Sequence, residues 1–347
     1  MQPRFGVISE ILIPLNIMTK QRNYSLDYMK AILVILMILA HCIQLIFNNS
    51  NSPNIISFLL LKISLFVNIT TFSSFLFMFG YVFQIAYLSN YETTKVKLLK
   101  NAWNTLITYY LCAISITILE KKQFNLTDLL NIIVFNNVIK YSEFLLAFTF
   151  IGFISVIFGK QIIYATSTLK KLILSSSVLL FFTFIIPYEK IPIQLGIFIG
   201  TTKFSSFPVF LYLPYFLLGV YLSKNNILFN KNILFFVSIL SAFFISYIII
   251  NHNLPERFPP SFFWISGSFL YSYTLYLFCY FISRRIKHHN RFILAMGSNT
   301  LFLLLFSNII IFYIKSNFSN CFTWLSTLMI FLIIIYTGNF IIKIIRK

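Results

Sequence analysis

Charge is scarce in this 347-residue chain. Lysine, arginine, aspartate and glutamate make up 10% of it, where a soluble globular protein carries about a quarter. Acidic residues are rarer still, with 8 aspartates and glutamates against 27 lysines and arginines. The 4 cysteines, Cys42, Cys112, Cys279 and Cys321, lie in or beside apolar stretches and have no metal-ligand spacing. They read as small buried hydrophobes and argue for neither a disulfide framework nor a metal centre. No internal repeat and no Gly/Ser-rich linker divides the chain. These absences exclude an ordinary soluble enzyme, a disulfide scaffold and a separate soluble domain.

What is present is hydrocarbon. Hydrophobic residues make up 59% of the chain, and the mean hydropathy is +0.85. That composition belongs to an all-α integral membrane protein. A bilayer core of about 30 Å takes about twenty apolar residues per helix. By that rule the chain reads as ten spans, near 26–47, 69–88, 103–119, 143–159, 172–188, 206–223, 232–251, 262–283, 292–314 and 322–342. The apolar stretch 55–68 reads either as an interfacial helix or as an extension of the second span. Residues 1–25 read as a cytoplasmic N-terminal segment, and 26–347 as one polytopic domain. The bias toward Ile, Phe, Asn, Lys and Tyr fits an AT-rich bacterial genome.

The formal net charge of +19 would suggest nucleic acid in a soluble protein. Here the basic residues sit in short loops, where they set topology instead. With the N-terminus inside, nineteen of the lysines and arginines fall on the inner side and eight on the outer side. The eight are Lys62, Lys121, Lys122, Lys140, Lys190, Lys203, Arg257 and Lys315. Ten spans with both termini in the cytoplasm reproduce this positive-inside asymmetry. The expected location is the inner or plasma membrane.

An ionisable side chain inside a span is costly, so it is a functional candidate by default. His41 is the leading one, because it lies eleven residues beyond Lys30 on an apolar helix. Eleven residues turn through about 1,100°, so the two share a face about 16 Å apart along the axis. Asp27 lies about 21 Å below His41, too far to orient it. Four further features stand out. Gly80, in Ser74-Phe-Leu-Phe-Met-Phe-Gly80-Tyr81, permits close approach by another helix or a ligand. Lys97 and Lys100 share a helical side and serve either topology or a phosphate clamp. Glu256-Arg257-Phe-Pro-Pro260 forms a rigid outer loop. Glu143 is the one acidic residue placed near an outer helix end with a route to His41.

Several of these segments resemble the acyltransferase family 3 membrane proteins, which O-acylate sugars. Leu26, Asp27, Lys30 and His41 match the family's Leu-Asp-x-Leu-Arg-Gly start, apolar run and histidine, with Lys30 in place of arginine. Phe77-Met-Phe-Gly80-Tyr81 is similar to a Phe-Phe-x-x-Ser-Gly-Tyr segment, with Phe79 in place of serine. Lys97 through Tyr109 resembles a basic stretch ending in Leu-Ile-Pro-Tyr, with Thr108 in place of proline. Phe216-Leu-Leu-Gly219-Val-Tyr221 and Arg257-Phe-Pro259-Pro260 have counterparts. So does Gly297-Ser-Asn299-Thr300-Leu301, and the histidine that follows it in many members is here Ser307. The resemblance runs from about residue 22 to the end.

It implies acyl transfer from acetyl-CoA, a co-substrate rather than a bound cofactor, to a hydroxyl of a surface polysaccharide or its lipid-linked precursor. His41 would be the general base. Lys30, Asp27, Arg22, Lys97 and Lys100 would form the donor site, and Glu143, Arg257 and Tyr81 the acceptor site. Competing expectations are a polysaccharide transporter or flippase, which would use midplane polar groups or repeats, and a membrane polysaccharide polymerase.

Overall fold

The structure, a computed structural model, describes residues 23–48, 54–122, 124–286, 288–318 and 322–345. Helices make up the bulk of it, and the described residues form no β-strand, only isolated bridges such as Phe47 with Phe322. Seven apolar helical runs are long enough to cross a membrane, and the protein is an all-α multi-pass membrane protein. The helices are α1 (Tyr24–Leu45), α2 (Ile55–Ala86), α3 (Tyr91–Lys121), α4 (Leu126–Ile133), α5 (Glu143–Ala165), α6 (Leu169–Phe181) and α7 (Gly196–Ile199). They continue with α8 (Val209–Lys224), α9 (Lys231–Asn251), α10 (Phe262–Ser266), α11 (Phe269–Arg285), α12 (Arg291–Ser298), α13 (Thr300–Asn317) and α14 (Trp324–Ile345).

The count of ten spans is not fixed by these lengths. One of the seven runs, Ile55–Lys121, is α2 and α3 joined through a short 3-10 turn at Leu88–Asn90. The stretch 55–68 therefore extends the second span. Leu169–Phe181 has 13 residues and Val209–Lys224 has 16, both short of a full crossing. Two expected spans are interrupted by capping residues: Gly267 and Ser268 separate α10 from α11, and Asn299 separates α12 from α13. Such breaks are tolerated at membrane depth where protein, not lipid, surrounds the backbone. Helix α8 fits this condition, because nearly all its side chains are buried.

Local chemistry sets the helix starts. Asn54 accepts from the Ser57 amide at 2.8 Å ahead of α2, and Asn230 accepts from Asn232 and Ile233 ahead of α9. Asn290 accepts from Phe292 ahead of α12. Each side chain satisfies an amide that the first turn leaves without a partner.

Helix α1 is the centre of the bundle. Of its apolar window 67% is buried within the protein, against 22–44% for the other runs. It packs on α2, α11, α12, α13 and α14. At its foot, Gly297 of α12 lies against the Asp27 backbone, where an added Cβ would strike the Asp27 carbonyl oxygen. His289 stacks on Tyr24 with ring centroids 3.8 Å apart and meets the Tyr28 hydroxyl at 3.3 Å. Cys42, Cys112 and Cys279 are free and buried, and Cys321 lies outside the described residues.

The tightest crossing joins α2 to α8 and is built on reciprocal glycines. A Cβ on Gly80 would collide with the Phe216 carbonyl oxygen, and one on Gly219 with the Phe77 carbonyl oxygen. The close approach expected at Gly80 is thus made by another helix. Replacing Gly219 by valine is expected to cost more than about 3 kcal/mol, since backbone faces backbone and neither can yield. Gly338→Ala, where the nearest atom is the flexible Leu303 side chain at 2.8 Å, should be mild. Thermal midpoints of the purified proteins in detergent check the contrast.

Candidate active site

His41 sits in the last turns of α1 and is buried. Met37 and Gln44 lie one turn away on the same face, and with the neighbouring Ala40 all four line a cavity of about 240 Å³. The facing wall is α2, through Val67, Asn68, Thr71 and Phe72. Three irregular segments complete it: Lys140 and Tyr141 with Glu143 and Phe144 at the start of α5, Ser205 and Phe207 ahead of α8, and Arg257 and Phe258 ahead of α10.

The imidazole is held by an amide. His41 Nδ1 lies 2.8 Å from Asn308 Oδ1, and Asn308 Nδ2 donates to the Tyr141 carbonyl at 2.9 Å. The second bond fixes which end of the amide faces the histidine. An amide oxygen only accepts, so Nδ1 carries the hydrogen and donates, and Nε2 keeps a lone pair. Tyr141 has φ +68, a left-handed conformation that is rare outside glycine. Its ring stands edge-on to His41 with centroids 4.8 Å apart and packs on Phe312. Gln44 Nε2 donates to Ser64 Oγ and Asn68 Oδ1, each at 2.9 Å, tying α1 to α2 beside the cavity.

Buried hydrogen-bonding capacity remains unused around this cavity. Glu143 Oε2, Arg257 Nε and Thr71 Oγ1 are buried with no hydrogen-bond partner among the described residues. All three residues line the cavity. Buried polar atoms are normally satisfied, so an unfilled set facing one hollow marks it as a place for a polar ligand. The Arg257 guanidinium is steadied by aromatic faces, lying 4.7 Å from the Phe258 ring centroid, 5.7 Å from Phe207 and 5.8 Å from Trp264.

The structure therefore gathers His41, Glu143 and Arg257 into one cavity. It does not bring Tyr81 there. Tyr81 is ten residues beyond Thr71 on α2, about 15 Å along the helix, and its hydroxyl accepts from Tyr276. Asp27 is buried and Lys30 half-buried at the opposite end of α1, while Lys97 and Lys100 are exposed near the start of α3. Arg22 lies outside the described residues. Among the described residues no carboxylate is hydrogen-bonded to His41; Asn308 orients it. The sequence signal for it was a carboxamide inside an apolar helix, one residue beyond Ser307. Ser307 itself donates only to the Leu304 carbonyl of its own helix at 3.1 Å.

Compared with known proteins, the chain matches no family model, no curated protein and no solved structure. The case for its chemistry rests on the cavity.

The hydrogen-bond pattern predicts a single neutral tautomer. In ¹⁵N spectra of histidine-labelled protein, His41 should show its proton on Nδ1. Asn308→Ala should abolish that preference while Asn308→Gln retains part of it; an Nε2–H tautomer in the wild type would contradict the arrangement.

Proposed function

We propose that the protein is a membrane O-acyltransferase that moves an acetyl group from acetyl-CoA to a hydroxyl of a surface polysaccharide or its lipid-linked precursor. The observation that carries this reading is His41: Nδ1 is engaged by Asn308, Nε2 keeps its lone pair, and the ring lines a cavity with unused polar groups. An oriented imidazole with one free nitrogen is the arrangement a general base requires.

In the proposed reaction the acceptor hydroxyl lies in the cavity and passes its proton to His41 Nε2 as its oxygen attacks the thioester carbonyl. The carbon–sulfur bond then breaks, and the leaving CoA thiolate recovers the proton from the imidazolium. Asn308 holds the ring in place through both proton transfers. Glu143 and Arg257 supply an acceptor and a donor for the sugar's other polar groups.

The donor approaches from the opposite end of α1. Lys30 and Asp27 occupy that end, with Arg22, Lys97 and Lys100 proposed as further phosphate contacts. Clustered cations suit the polyanionic nucleotide of CoA. Its thin pantetheine arm would cover the rise from Lys30 to His41, about 16 Å. The arm would enter the cavity past Met37, one turn below His41. The proposed setting is a bacterial inner or plasma membrane, with CoA on the cytoplasmic side.

Two measurements test this. His41→Ala should lower O-acetylation of surface glycan by at least about 100-fold while the protein still inserts and purifies; near-normal acetylation would end the general-base role. Lys30→Ala should raise the acetyl-CoA concentration needed for half-maximal rate several-fold with little change in the maximal rate. An unchanged donor dependence would remove Lys30 from the donor site.

A further inference from the structure

The His41 cavity adjoins a second one of about 740 Å³. Lys140, Tyr141, Ser205 and Phe258 line both, so the two are neighbours across a shared lining, and together they make up a hollow with His41 in its smaller part. The larger part draws lysines from four separate places: Lys121 ending α3, Lys140 ahead of α5, Lys203 ahead of α8 and Lys315 near the end of α13. Two of them are neutralised. Lys121 pairs with Asp128 at 2.5 Å, and Lys315 pairs with Glu120 at 2.8 Å. Among the described residues no carboxylate lies within ion-pair distance of Lys140, Lys203 or Arg257. Glu143 is the one carboxylate of the hollow outside an ion pair.

Three cations against one carboxylate leave the hollow positive. Low-dielectric walls focus such a field and raise the local concentration of anions. The neutral lining narrows the choice further. Thr117, Asn137, Thr202 and Ser205 bring hydroxyl and amide groups, and Phe258 and Phe312 bring flat apolar faces. Hydroxyl-bonding groups beside an aromatic face fit a sugar ring, which has a polar rim and apolar C–H faces. A phospholipid headgroup would leave most of those groups idle.

We infer that the hollow holds an acidic glycan, whose anionic group sits on Arg257 with Lys140 and Lys203 while a ring hydroxyl lies at His41. This deepens the acyl-transfer reading, which supplies the role of that hydroxyl, but the binding itself does not depend on it. A guanidinium pre-set between aromatic rings meets a carboxylate or phosphate through parallel hydrogen bonds, and the unpartnered Nε is available for one of them.

The test is binding without acyl-CoA, using purified protein in nanodiscs of neutral lipid. The probes are a uronic-acid oligosaccharide, a sugar-phosphate and a neutral oligosaccharide of equal length. At least one anionic probe should bind about ten-fold or more tightly than the neutral one at low salt, and 0.5 M salt should shrink the difference. A Lys140→Gln, Lys203→Gln double variant should lose most of the preference, and Arg257→Gln should weaken anionic binding further. Lys231→Gln, at the start of α9 and away from the hollow, should leave it unchanged. If Arg257→Gln does not fold, the lysine double variant decides alone. Equal binding of charged and neutral probes would overturn the inference. So would abolition of the preference when anionic phospholipid replaces the neutral lipid, which would reassign the hollow to headgroups. Loss of acyl transfer in His41→Ala bears on the reaction alone, so the two readings fail separately.

Discussion

Asn308 joins three parts of the molecule through one carboxamide. Its oxygen holds His41 on α1, its nitrogen holds the Tyr141 carbonyl ahead of α5, and its backbone belongs to α13. In an apolar interior neither end can turn to water, so leaving one unmet would cost most of a buried hydrogen bond. The geometry is therefore over-determined. The position of the imidazole, the left-handed turn at Tyr141 and the height of α13 beside α1 must agree with one another. The cavity takes its shape from that agreement.

The sequence carried the helical part of this architecture well. Hydrophobic length alone places α1, α5, α9 and α14 within a few residues of where they lie, because a lipid-facing helix has few ways to satisfy its backbone. The interruptions were less legible. Asn299 and the Gly267-Ser268 pair sit inside apolar stretches, and hydropathy averages across them. Helix α8 was placed correctly but is too short to cross by itself. Its role is internal, and burial by neighbours leaves no mark on its own composition.

The site shows the same division. His41 stands out in the sequence as an ionisable group inside an apolar span and Glu143 and Arg257 as charged groups beside spans, and the loop-charge alternation predicts Glu143 and Arg257 on one side of the membrane. The structure draws five of the eight cations expected on the outer side, Lys121, Lys140, Lys203, Arg257 and Lys315, around one pair of adjoining cavities. Asn308 and Tyr141 did not announce themselves. One is an uncharged amide and the other an ordinary aromatic, and their parts are defined by partners 267 and 167 residues away in the chain. Tyr81 lies away from the cavity, beside the Gly80 crossing with α8.

The paired glycines of α2 and α8 have a mechanical consequence. They lock backbone to backbone, so the cavity wall formed by Val67, Asn68, Thr71 and Phe72 belongs to a stiff two-helix clasp. The opposite wall consists of three connecting segments ahead of α5, α8 and α10. The hollow is thus a cup with one side built of crossed helices and one built of connecting segments. The helical side is held by the α2–α8 crossing, and the other side is held by single contacts, the Asn308 bond to the Tyr141 carbonyl and the aromatic faces around Arg257.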